Sequence, residues 1–120
     1  MTWTMIRLEL DRTPAFPNGS AARSYVLRLP LDKDGAIDEA ACLAHAELAT
    51  VRRFWPNEPD RHGYLRRAGD GWRLSYPACG TDGDMLFRLD ARAIRPGAHI
   101  MLTGPDGATL PFLVKALAAA

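Results

Sequence analysis

Apolar and charged residues alternate one for one along much of this chain, and a period of two is the mark of a strand with one buried face. Ile6, Leu8 and Leu10 alternate with Arg7, Glu9 and Asp11. Tyr25, Leu27, Leu29 and Leu31 form a second apolar face with Ser24 and Arg28 opposite. Trp72, Leu74 and Tyr76 form another, and Met85, Phe87 and Leu89 the next. Ile100 with Leu102, and Leu110 with Phe112 and Val114, complete the set. Thr50–Trp55 is β-branched and aromatic and ends at Pro56 and Pro59, and residues 62–67 read as a strand after it.

Turn chemistry separates these runs. Pro14, Pro17, Asn18 and Gly19 make residues 13–20 a loop of fixed shape, and Lys33-Asp34-Gly35 turns the chain. Gly69-Asp70-Gly71 predicts a hairpin between residues 62–67 and 72–76, and Gly104-Pro105-Asp106-Gly107 a tight turn. Residues 77–84 read as a loop. One segment breaks the pattern. Asp38 is an N-cap residue, Glu39 favours the positive end of a helix dipole, and Ala40–Glu47 lacks Gly and Pro, which predicts one short helix over residues 38–47. Pro111 cannot donate to a ladder, so the last strand is expected at an edge or a bulge.

Seven or eight short antiparallel strands with one helix in 120 residues predict a mostly β single domain over residues 1–120. A partly closed barrel is preferred to a β-sandwich, because closure removes long exposed edges. The helix is expected to plug one barrel end.

Composition excludes more than it assigns. Apolar residues make up 48% of the chain, enough for a core without disulfides or metal. No apolar run reaches membrane-spanning length, and residues 1–11 alternate too strongly for a signal peptide, so a cytoplasmic location is expected. Cys42 and Cys79 then read as free thiols, neither of them in a Cys-x-x-Cys pair. The net charge of +1 gives no overall footprint for nucleic acid. Thirteen of the fifteen basic residues are Arg, which fits a GC-rich genome as well as it fits a function. Asp82 and Asp84 lack the rest of a calcium loop, the glycines at 69–71 and 80–83 precede strands and not helices, and no metal or cofactor is called for.

One stretch stands out. Between Arg52 and Arg73, six arginines against Glu58, Asp60 and Asp70 leave a local charge of +3, interleaved with Phe54, Trp55 and Tyr64. Arg52, Arg53, Trp55, His62, Tyr64, Arg66 and Arg67 are the candidate contact residues. Cations with flat rings suit an anionic small ligand or a protein partner. They also suit single-stranded nucleic acid, which the overall charge disfavours. A barrel strand must in any case put something polar outside, and Arg does so while covering apolar surface with its stem. His62, close to Asp60 and Glu58, is the alternative enzymatic centre, although no nucleophile stands in a recognisable frame around it, so no catalytic residue is assigned. His45 and His99 read as structural or exposed. Trp72 is expected in the core, while Trp3 and Trp55 are free to mark a contact surface.

Several segments together resemble a family of short, uncharacterised proteobacterial proteins, a domain of unknown function. They are Met5–Leu10, Phe16–Ser20, Val51–Trp55 with Glu58-Pro59, and Pro96-Gly97 through Asp106-Gly107 to Pro111–Val114. The likeness spans nearly the whole chain. That family has no assigned activity, cofactor or catalytic residue, so the resemblance implies a bacterial, cytoplasmic origin and nothing about chemistry. The expectation is a binding or accessory module, as monomer or homodimer, that works through the Arg52–Arg73 face.

Overall fold

The alternation closes into a ring. The computed structural model describes residues 1–68, 71–75, 87–90, 93–104 and 107–120, with backbone alone at residue 68 and residues 87–90. Eight strands are present among them: β1 (Thr2–Leu10), β2 (Ser20–Leu31), β3 (Thr50–Phe54), β4 (Arg61–Ala68), β5 (Gly71–Ser75), β6 (Phe87–Asp90), β7 (His99–Thr103) and β8 (Thr109–Ala119). Each pairs antiparallel with the next, and β8 pairs back onto β1, so the barrel is closed and is not a sandwich. The expected loop at 77–84, the side chains of Tyr76, Met85, Phe87 and Leu89, and the turn residues 69, 70, 105 and 106 lie outside the described residues.

The inward faces are those the alternation marked. Ile6, Leu8, Leu27, Leu29, Val51, Leu74, Ile100, Leu102, Phe112 and Val114 are fully buried. Each such side chain contributes about 1.5–3 kcal/mol by leaving water. An eight-stranded barrel is just wide enough for side chains to fill its interior or to hold one small ligand, and here, among the described residues, the inward side chains form one core cluster.

Helix α1 is shorter than expected, Glu39–Ala44, followed by a 3-10 turn at Ala46–Leu48. Asp38 is its N-cap as expected, its Oδ1 accepting from the Ala41 amide at 3.0 Å. The helix stops at His45, whose φ of −134° and ψ of 57° are not helical. Strong helix formers continue to Glu47, but the chain must turn there to enter β3, and tertiary geometry overrides propensity. Cys42 and Ala49 bury into the core, so this segment covers one barrel end.

Pro111 also departs from expectation. It lies in a strand paired on both sides, with Met101 as its β7 partner. The Asp11 amide donates to the Pro111 carbonyl at 3.0 Å, so the ring nitrogen faces β1 just past that strand's last residue, Leu10. The missing donor therefore costs no ladder bond inside β1. The bulge falls instead at Lys115, between the pairs Arg7–Ala116 and Leu8–Val114.

Candidate functional site

Period two divides the Arg52–Arg73 stretch between different surfaces. On β3, Val51 and Arg53 turn inward and are buried, while Arg52 is exposed and packs its guanidinium 5.2 Å from the Phe54 ring. On β4, Gly63 and Leu65 are buried, and His62, Tyr64 and Arg66 are exposed. Cross-strand pairing aligns Val26, Arg52 and His62 in one outer row, and Arg28, Thr50, Tyr64 and Ser75 in the next. Arg66 stands opposite Arg73 in a third. The charges on this outer wall of β2–β5, among the described residues, are all positive: Arg28, Arg52, Arg66 and Arg73, with His62 between them. Arg28 is partly tied down, its Nε donating to the Leu48 carbonyl at 2.9 Å.

The wall ends in a groove. Cys42, Leu43, Ala46 and Glu47 form one side, and Tyr64, Leu65, Arg66, Arg67 and Trp72 the other, around about 460 Å³. Leu43 is 68% exposed and Tyr64 40%, so both sides show apolar surface to solvent. Trp72, expected in the core, is only half-buried, because it stands at the hairpin end beneath Arg67 at 5.3 Å. Arg67 Nε also meets Glu39 Oε1 at 3.3 Å and so pins the hairpin to α1. Arg66 makes no ion pair among the described residues.

The thiol of Cys42 lies at the bottom of this groove. Burial pushes its pKa up from 9.0 to about 11, and the nearby carboxylates of Asp38 and Glu39 push the same way. The thiolate is the nucleophilic form, so at neutral pH this cysteine is an inert lining group.

The remaining candidates, Arg53 and Trp55, lie at the other end of β3. Arg53 stands opposite Tyr25 on β2 and Arg61 on β4. Its guanidinium lies 4.2 Å from the Trp55 ring and 3.4 Å from Glu58 Oε2. His62 is on the outer wall, in register with Arg52, and Glu58 turns to Arg53 instead of to it. Among the described residues no ion pair joins His62 to Asp60 or Glu58, the carboxylates expected to orient it. Among the described residues, no group of three His, Cys, Asp or Glu side chains is placed to hold a metal, and no helix is long and apolar enough to cross a membrane.

The groove was missed from sequence because Leu43 and Trp72 are far apart in the chain and each reads as an ordinary core residue. An apolar Leu43 on a helix with charged and small neighbours was the available signal. No protein-family model, curated protein or solved structure matches the chain.

Proposed function

We propose that this chain is a non-enzymatic binding module that takes a ligand with an anionic head and an apolar body in the groove between α1 and the β4–β5 hairpin. The carrying observation is the pairing of exposed Leu43 and Tyr64 with Arg66, a rim cation that makes no ion pair among the described residues. The volume is in the range of small-molecule sites, about 300–1,000 Å³. Apolar walls take the body, and a guanidinium at the rim takes a carboxylate or phosphate bidentately. The protonated thiol of Cys42 supports binding over covalent chemistry. A small amphipathic acid offers this chemistry, and so does an acidic, aromatic-bearing segment of a partner protein. A bacterial, cytoplasmic setting belongs to the same reading and is supported by the free thiol and the Arg-for-Lys bias.

Amide chemical shifts of labelled protein, titrated with an aromatic carboxylate and separately with an acidic Phe-containing peptide, distinguish the two sources. Saturable changes are expected at residues 42–47, 64–67 and 72 with one probe or the other. Arg66→Glu should weaken that binding by about tenfold, the equivalent of ~1.4 kcal/mol. Shifts confined to another face would sink the reading.

A second reading rests on the outer wall. Arg28, Arg52, Arg66 and Arg73 lie there with Phe54 and Tyr64, and the described strand residues of that face include no acid, although the exposed Asp60 directly precedes β4. That is a platform for single-stranded nucleic acid, with cations for phosphate and rings for stacking. A gel shift with a single-stranded oligonucleotide over a salt series tests it, since phosphate contacts give a steep salt slope. Absence of retention at low salt dismisses it.

A further inference from the structure

We propose a second site, separate from the groove, at the other mouth of the barrel: a carboxylate or phosphate oxyanion held by Arg53 and Arg23. Arg53 and Arg67 are on adjacent strands, and Arg53's partner Arg61 is six residues from Arg67 along β4. At about 3.3 Å per residue, ~20 Å separates this mouth from the groove.

The mouth is built from three local devices. The loop between β1 and β2 folds back on itself through Phe16 N to Thr13 O and Gly19 N to Phe16 O, at 3.0 and 2.9 Å. Gly19 has φ of +73°, and a Cβ there would meet the Leu10 carbonyl oxygen at 2.7 Å, so only glycine lets this loop close and present Phe16. Arg23 lies over the Phe16 ring at 4.1 Å and 5.7 Å from Trp55. On the other strand, a turn from Trp55 to Glu58, with Asn57 at φ of +63°, brings the Glu58 carboxylate back to Arg53. Both guanidiniums thus lie against the Trp55 ring, Arg53 at 4.2 Å and Arg23 at 5.7 Å from its centroid.

The charge balance at this mouth is incomplete. The Arg53 side chain is 10% exposed, yet its Nε is buried with no hydrogen-bond partner among the described residues. A buried donor left unmade is destabilising. Glu58 does not relieve it. Both Arg53 Nη1 and Nη2 reach the same oxygen, Oε2, at 3.4 and 3.5 Å. Charge-assisted pairs close to about 2.7–2.9 Å. Glu58 thus sits loosely against the end of the guanidinium and leaves the side edge, Nε with one Nη, unmatched. That edge is the fork that accepts two oxygens of one carboxylate or phosphate. An oxyanion that takes this fork competes with Glu58 for the same guanidinium and must open the cover over the buried Nε, with Arg23 on the Phe16 ring as the second cation.

The Nε–Hε resonances of arginine in labelled protein read this directly. Inorganic phosphate and citrate are titrated at constant ionic strength, with sodium chloride as control. A saturable displacement of the Arg53 Nε–Hε signal is expected with phosphate or citrate and not with chloride. Glu58→Gln removes the competing charge and should tighten apparent binding by roughly three- to tenfold, and Arg23→Gln should weaken it by a similar factor. Arg53→Lys should abolish saturation. Should that variant fail to fold, the Glu58→Gln and Arg23→Gln arms decide alone. A displacement that chloride reproduces, or a binding curve unchanged in Glu58→Gln, would overturn the proposal. Arg66→Glu, which disables the groove, should leave this titration intact.

Discussion

Cys42 sits where helix, barrel end and groove meet, and its environment has a measurable consequence at the scale of one side chain. It is 4% exposed and its pKa is raised to about 11. In a Cys79→Ser background, alkylation of the folded protein should be slow between pH 7 and 9.0 and accelerate toward about 11, whereas urea-unfolded chain should react from about 9.0. The stability linked to this group has the matching sign. It is fully present below pH 9.0, where the thiol is neutral in both states, and is lost as pH rises through about 11, because the unfolded thiol ionises first. Fast labelling of the folded protein at pH 8 would contradict the burial. Arg52 and Arg53 give a second case at this scale. They are neighbours in the chain, yet one is exposed on the wall and the other buried at a mouth.

At the scale of elements, α1 is the weakest piece. Six residues are too few for a helix to persist alone, so it depends on its cap and on Cys42. Asp38→Ala should cost about 1 kcal/mol in urea denaturation and speed amide exchange over residues 39–48 ahead of the strands. Unchanged exchange there would mean the cap does not hold the groove wall. The strands were legible because alternation is both their cause and their sequence trace, as in Ile6, Leu8 and Leu10. The end of α1 was not, since nothing in His45-Ala46-Glu47 opposes a helix and only the return into β3 does. Pro111 was misplaced because sequence reveals a missing donor but not that β1 ends beside it. The Arg52–Arg73 stretch was legible as a basic, aromatic segment. Its division into wall, groove and mouth was not, because that depends on which strands stand on either side.

At the scale of the whole molecule, everything rests on the ring being complete. β8 supplies Leu110, Phe112 and Val114 and closes onto β1 through pairs from Thr4–Ala119 to Leu10–Phe112. Removing residues 109–120 should therefore unfold the chain as a unit, with collapse of amide dispersion and binding of a hydrophobic dye, and should not leave a stable seven-stranded sheet. Retained dispersion would mean that the open sheet is self-sufficient. Neighbours in the ring are neighbours in sequence for every pair except β1 and β8. On a ribosome this makes the fold a matter of timing. Seven strands can find their partners as they emerge, but β1 must wait, one edge bare, until residues 109–119 clear the exit tunnel. In that interval two nascent chains on one message can exchange first strands. Until then β1 and β7 each present one unpaired edge, which only β8 covers.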